Sequence, residues 1–157
     1  MTPTPPAAWY ATLTSRWHAG DSAPWLAQSG DTVGAHGARM AVLARRLWRD
    51  ASPELIWACI AHDLGEVATG DAPLAAKSDP ALKAALDRLE AAALADMGID
   101  MPLSARDRDR LKYLDRLDAY LWAQHNAPHL LERDDWRDAR AWLDAQFVVL
   151  VGVAGAI

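Results

Sequence analysis

Apolar positions along this chain recur at three- and four-residue intervals, and each run is bracketed by residues that start or stop helices. The first such run covers Ala7 to about Ala19, and a loop rich in Gly, Ser and Pro follows from Gly20 to Gly30. A second helix is predicted from Asp31 or Thr32 to Asp50, with Val33, Met40, Leu43 and Leu47 on or near one stripe. Ser52-Pro53-Glu54 pairs a capping residue with proline at the first helical position and opens a third helix, which reaches His62 and Asp63. Gly65 and Gly70 mark irregular chain after it. Asp79-Pro80 repeats the start signal and Gly98 closes a fourth helix. Ser104 opens a fifth, through Leu111, Leu114, Leu117 and Leu121 to about Asn126. A sixth begins near Asp134 or Asp135 and runs through Trp142 into an apolar tail, whose valine-rich end suits helix or strand alike. The fold class expected is all-α: a compact single-domain bundle of about six helices over residues 1–157, with 1–6 as a flexible tail.

Composition agrees. Hydrophobic residues make up 52% of 157, with eight Trp but only one Phe and three Tyr, a balance that favours helix over sheet. The net charge of −5 argues against broad attachment to a nucleic acid polymer or an anionic membrane. An anionic ligand would therefore be held locally, by a metal or a few placed cations. The apolar stretch from Phe147 to Ile157 is too short to span a bilayer, and the proline-rich start lacks the basic and apolar regions of a signal peptide. Cys59 is the one cysteine, set in an apolar run without an intramolecular partner. That suits a reducing cytoplasm and a buried, inert thiol.

Chemistry concentrates between His62 and Lys77. An imidazole, three carboxylates (Asp63, Glu66 and Asp71) and an ammonium fall within sixteen residues at the end of an apolar helix. A His-Asp pair alone carries little, since a histidine at a helix end is also stabilised by the helix dipole. Two further residues change the weight. His36 lies on the preceding helix and Asp115 on a later one, and facing helices of a bundle bring such groups to one point. His36, His62, Asp63 and Asp115 would then offer two imidazoles and two carboxylates to one octahedral ion, with room for water or a substrate oxygen. Asp118 competes with Asp115, because three-residue spacing puts both on one helix face. The alternating charges from Arg106 to Arg110 read as a solvated, salt-bridged face. His125 and His129 are separated by Pro128, which argues against a second metal site there.

The arrangement resembles the HD-domain phosphohydrolases, nearest to the branch with bacterial 5'-deoxynucleotidases and phage dATP triphosphohydrolases. The likeness rests on Arg16-Trp17, His36, a central block, and Lys112-x-x-Asp115 with Ala119-Tyr120. The block is His62-Asp63-x-x-Glu66-Val67-x-Thr69-Gly70-Asp71-x-Pro73-x-x-x-Lys77, nine matching positions in sixteen. The likeness covers about two thirds of the chain. The family usually places a carboxylate before the first histidine and a serine after it, whereas His36 sits between Ala35 and Gly37.

That resemblance implies roles. One divalent ion (Co, Mn, Zn, Fe or Mg) would be held by His36, His62, Asp63 and Asp115. Glu66 would orient or deprotonate the attacking water, on a helix that keeps it one turn from His62. Arg16 and Lys77 would bind phosphate oxygens, Trp17 would stack on a base, and Asp71 would accept from the sugar 3'-hydroxyl on a turn shaped by Thr69 and Gly70. The expected reaction is hydrolysis of deoxynucleoside 5'-monophosphates to nucleoside and phosphate. The alternative is release of triphosphate from a deoxynucleoside triphosphate, which needs further cations such as Arg39. From another class, a non-catalytic nucleotide-binding module would have lost a ligand or Glu66, and all five are present. Family members are often dimers, and the apolar tail offers an interface for a homodimer.

Overall fold

A computed structural model of the chain describes Leu13, residues 30–70, Ala72 and residues 77–152. Among these are five α-helices: α1 (Val33–Leu47), α2 (Pro53–Ala61), α3 (Pro80–Asp96), α4 (Ala105–Asn126) and α5 (Asp134–Val151). Short 3-10 turns cover His62–Val67 and Pro128–Glu132. The all-helical class expected from the patterning is what forms. The first predicted helix lies outside the described residues except for Leu13, which is helical.

Side-chain caps explain where the helices begin. Thr32 Oγ1 accepts from the Ala35 amide at 3.1 Å, and Ser52 Oγ from Leu55 at 3.0 Å. Asp79 accepts from the amides of Ala81 and Leu82, and Ser104 from Asp107. Each cap satisfies amides that lack an intrahelical partner. At the far end of α3, Gly98 takes φ +69°. The Ile99 amide reaches the Leu94 carbonyl and the Gly98 amide reaches Ala95, the paired bonds of a glycine-terminated helix. The valine-rich tail is helical as far as Val151, and Gly152 ends it at φ +78°.

The described residues fall into two compact units, one within Met1–Ala38 and Ile60–Met101, the other within Arg39–Cys59 and Pro102–Ile157. In the first, the 3-10 turn at His62–Val67 packs on α3. Gly65 makes this possible, since a Cβ there would lie 2.8 Å from the Glu90 carbonyl oxygen. In the second, Met40, Ala44, Leu55, Cys59, Tyr113, Leu114, Leu117 and Leu143 form one buried cluster. Trp48 joins it and donates its indole N–H to the Leu150 carbonyl at 2.9 Å. Burial pushes the Cys59 thiol up to about 12, with a smaller contribution from the Asp115 charge. The inert thiol expected from the sequence has a physical cause.

One reading of the sequence needs correction here. Arg110 is not part of a solvated face: it is 2% exposed. It pairs with Asp50 at 3.1 Å and Asp107 at 3.4 Å, and its guanidinium lies 4.6 Å over the Trp48 ring. Burial disfavours the Asp50 anion, but hydrogen bonding and charge from Arg110, with Arg106 beside it, hold that carboxyl below its usual range. Among the described residues, no helix is long and apolar enough to cross a membrane.

Candidate metal centre

Three of the four expected ligands meet within the first unit. His36 is one turn into α1 and fully buried, while His62 and Asp63 open the 3-10 turn that follows α2. The imidazole rings stand 5.5 Å apart, tilted by 60°. Both present Nε2 to one carboxylate: His62 Nε2 is 3.2 Å from Asp63 Oδ1, and His36 Nε2 is 3.7 Å from Asp63 Oδ2. Asp115, the fourth, lies on α4 in the second unit.

These separations can be compared with those around an ion. Ligand atoms bonded at about 2.1 Å stand about 3.0 Å apart at right angles and about 4.2 Å apart on opposite sides. The Asp63 contacts fall inside that interval. Two imidazoles facing one carboxylate are also a donor set that suits borderline divalent metals. The residues present fit an ion of that kind.

The local backbone changes one expectation. The third helix was expected to persist through Asp63 and to bring Glu66 round beneath His62. Instead α2 stops at Ala61, and residues 62–67 tighten to three per turn. In that geometry residues three apart eclipse, so Glu66 stacks on Asp63 rather than on His62. The Glu66 carbonyl then accepts from the amides of Thr69 and Gly70, which turns the chain at Gly70 (φ +68°).

Thr69 is half-buried, and its hydroxyl donates to Glu90 Oε1 at 2.9 Å. Glu90 was not singled out in the sequence. It anchors this turn from α3, and nothing in its local pattern distinguishes it from a surface glutamate. Lys77 is exposed. Arg16, Trp17 and Asp71 lie outside the described residues. Of the two competing aspartates, Asp118 is 2% exposed and takes a two-pronged contact from Arg39, Nε to Oδ1 at 2.9 Å and Nη2 to Oδ2 at 2.8 Å. Searches of protein-family models, curated proteins and solved structures found no match to this chain.

Proposed function

We propose that the chain is a metal-dependent phosphohydrolase of the HD-domain kind that acts on deoxynucleoside 5'-monophosphates. The observation that supports this most is the approach of His36, His62 and Asp63 to one another, and Asp115 is proposed as the further carboxylate. These four side chains would hold a divalent ion, which when bound lowers the pKa of an attacking water and screens phosphate charge.

The other steps belong to the chain's own residues. Glu66, one 3-10 turn after Asp63, receives the proton of the attacking water on a carboxylate oxygen. That proton is then available to the departing 5'-oxygen. Lys77 and Arg16 hold the phosphate oxygens, with the planar fork of Arg16 suited to two of them. Trp17 offers a flat face to the base, and Asp71 accepts from the 3'-hydroxyl. Glu90 steadies the turn at Thr69 and Gly70 through its hydrogen bond from Thr69. Arg39, a cation that a triphosphate substrate would call on, is engaged by Asp118, and this favours the monophosphate.

The test is a chromatographic product assay across deoxynucleoside mono- and triphosphates with Co, Mn, Zn, Fe or Mg. Nucleoside plus orthophosphate from monophosphates is expected. Nucleoside plus intact triphosphate would replace the proposed substrate, and no product from any nucleotide despite bound metal would overturn the enzymatic reading. Glu66→Gln is expected to lower turnover at least a hundredfold, near the lower range for a lost general base, while metal binding stays intact. Full activity in that variant would remove Glu66 from the mechanism.

A further inference from the structure

Glu90 holds the chain at two points that lie on either side of Glu66. Its backbone is the wall against which Gly65 rests, so closely that a Cβ on Gly65 would lie 2.8 Å from the Glu90 carbonyl oxygen. Its side chain takes the Thr69 hydroxyl on Oε1 at 2.9 Å. That hydroxyl also lies 3.0 Å from the Gly70 carbonyl. It has one proton to give, and a carboxylate accepts it more strongly than a neutral carbonyl. Gly65 is the residue before Glu66, and Thr69 is the third after it. Between these points the Glu66 carbonyl accepts from the Thr69 amide at 3.2 Å and the Gly70 amide at 2.7 Å, so the second point is tied to the backbone of Glu66 itself. None of the α3 residues is buried, so apolar packing fixes this contact less firmly than a core would, and the polar bond counts for more. Every residue involved belongs to the first unit.

We propose that Glu90 is a positioning residue for the reaction, one that fixes the place of Glu66 without itself touching substrate or ion. This inference rests on the phosphohydrolase reading, in which Glu66 takes the proton of the attacking water. It assigns the effect to the catalytic step rather than to metal binding. His36, His62 and Asp63 all precede Gly65, whose seat on the Glu90 backbone survives loss of the Glu90 side chain. What loosens is the chain from Glu66 to Gly70. A reacting group displaced by about 1 Å can cost about 100-fold in rate, and a smaller displacement costs less. The rate at saturating substrate isolates that cost from binding.

The experiment compares the unsubstituted chain with Glu90→Ala, Glu90→Gln and Thr69→Val. It measures kcat at saturating deoxynucleoside 5'-monophosphate with Co2+, Co2+ affinity by calorimetry, and hydrogen exchange of the Thr69 and Gly70 amides in the metal-free protein. Glu90→Ala is expected to lower kcat about 10-fold and to leave Co2+ affinity unchanged. It should also speed exchange of the two amides about 10-fold, as for a lost hydrogen bond to a charged acceptor. Thr69→Val removes the donor alone and is expected to match it, and this variant decides the matter if Glu90→Ala does not fold. Glu90→Gln keeps an acceptor oxygen and is expected to retain most of kcat and of the amide protection. A lower melting temperature with kcat and exchange unchanged would make Glu90 merely structural and overturn the proposal. A fall in Co2+ affinity as large as the fall in kcat would move the effect to the metal centre and overturn it also. No hydrolysis by the unsubstituted chain would overturn the phosphohydrolase reading and the positioning role with it, a failure distinct from the other two.

Discussion

Replacing Gly65 with alanine is expected to damage the fold and the metal centre together. The added Cβ would lie 2.8 Å from the Glu90 carbonyl oxygen and 2.9 Å from the Glu90 Cβ, against ordinary contacts that begin near 3.4 Å. Both obstacles belong to or adjoin the backbone of α3, so no flexible side-chain end can move aside. The 3-10 turn or α3 must retreat by about 0.6 Å, and over-packing of this kind costs about 1–3 kcal/mol. In a chain of this size that is a fall of about 2–4 °C in melting temperature per kcal/mol. The turn carries His62 and Asp63 three and two residues away, so its displacement should also weaken Co2+ binding. Circular dichroism melts and Co2+ titration measure the two effects. Gly70→Ala is the control: among the described residues nothing lies within 4 Å of an added Cβ there, and its φ of +68° is what opposes a side chain, at about 1 kcal/mol. An unchanged melting temperature and Co2+ affinity in Gly65→Ala would refute the packing argument.

Other outcomes follow from the buried groups of the second unit. Cys59 should resist alkylation in the folded protein at neutral pH and react promptly in denaturant, and rapid native-state labelling would contradict its burial. Burial pushes Cys59 from 9.0 to about 12 and Tyr113 from 10.0 to about 12, with the Asp144 charge adding to Tyr113. Both are neutral when protonated, so their contribution is intact below pH 9 and is lost as pH rises toward 12. The loss approaches about 1.4 kcal/mol per pH unit for each group, and Cys59→Ala should flatten the early part of an alkaline urea-unfolding series. Among the described residues, the Tyr113 hydroxyl is buried without a hydrogen-bond partner. Tyr113→Phe is therefore expected to leave stability unchanged or raise it, and a fall of more than about 1 kcal/mol would reveal a hidden partner.

Much of the fold was legible because its signals are local. Ser52-Pro53, Asp79-Pro80 and Ser104 cap helices wherever they occur, and Gly98 stops one by adopting a conformation other residues avoid. The apolar stripe through Leu114 and Leu117 marked the buried face of α4 for the same reason. Tertiary packing accounts for what was missed. The tightening at His62–Val67 coincides with Gly65 lying against Glu90, a contact between residues 25 positions apart. Arg110 looks solvated in a run of alternating charges, yet Trp48 and two aspartates draw it inside. For the candidate centre, residue type and order identified His36, His62 and Asp63, and these stand together. The choice of Asp115 over Asp118 depended on register with Lys112 and Ala119-Tyr120. Nothing in the pattern showed that Asp118 was committed to Arg39, because a pair 79 residues apart leaves no periodic trace.

The most direct measurement is equilibrium dialysis of the purified chain against Co2+ or Mn2+, with bound metal determined by elemental analysis. One ion per chain is expected, with affinity reduced about a hundredfold or more in a folded His62→Ala variant. A chain that binds no ion, or a His62→Ala variant that binds as tightly as the original, would contradict the metal centre.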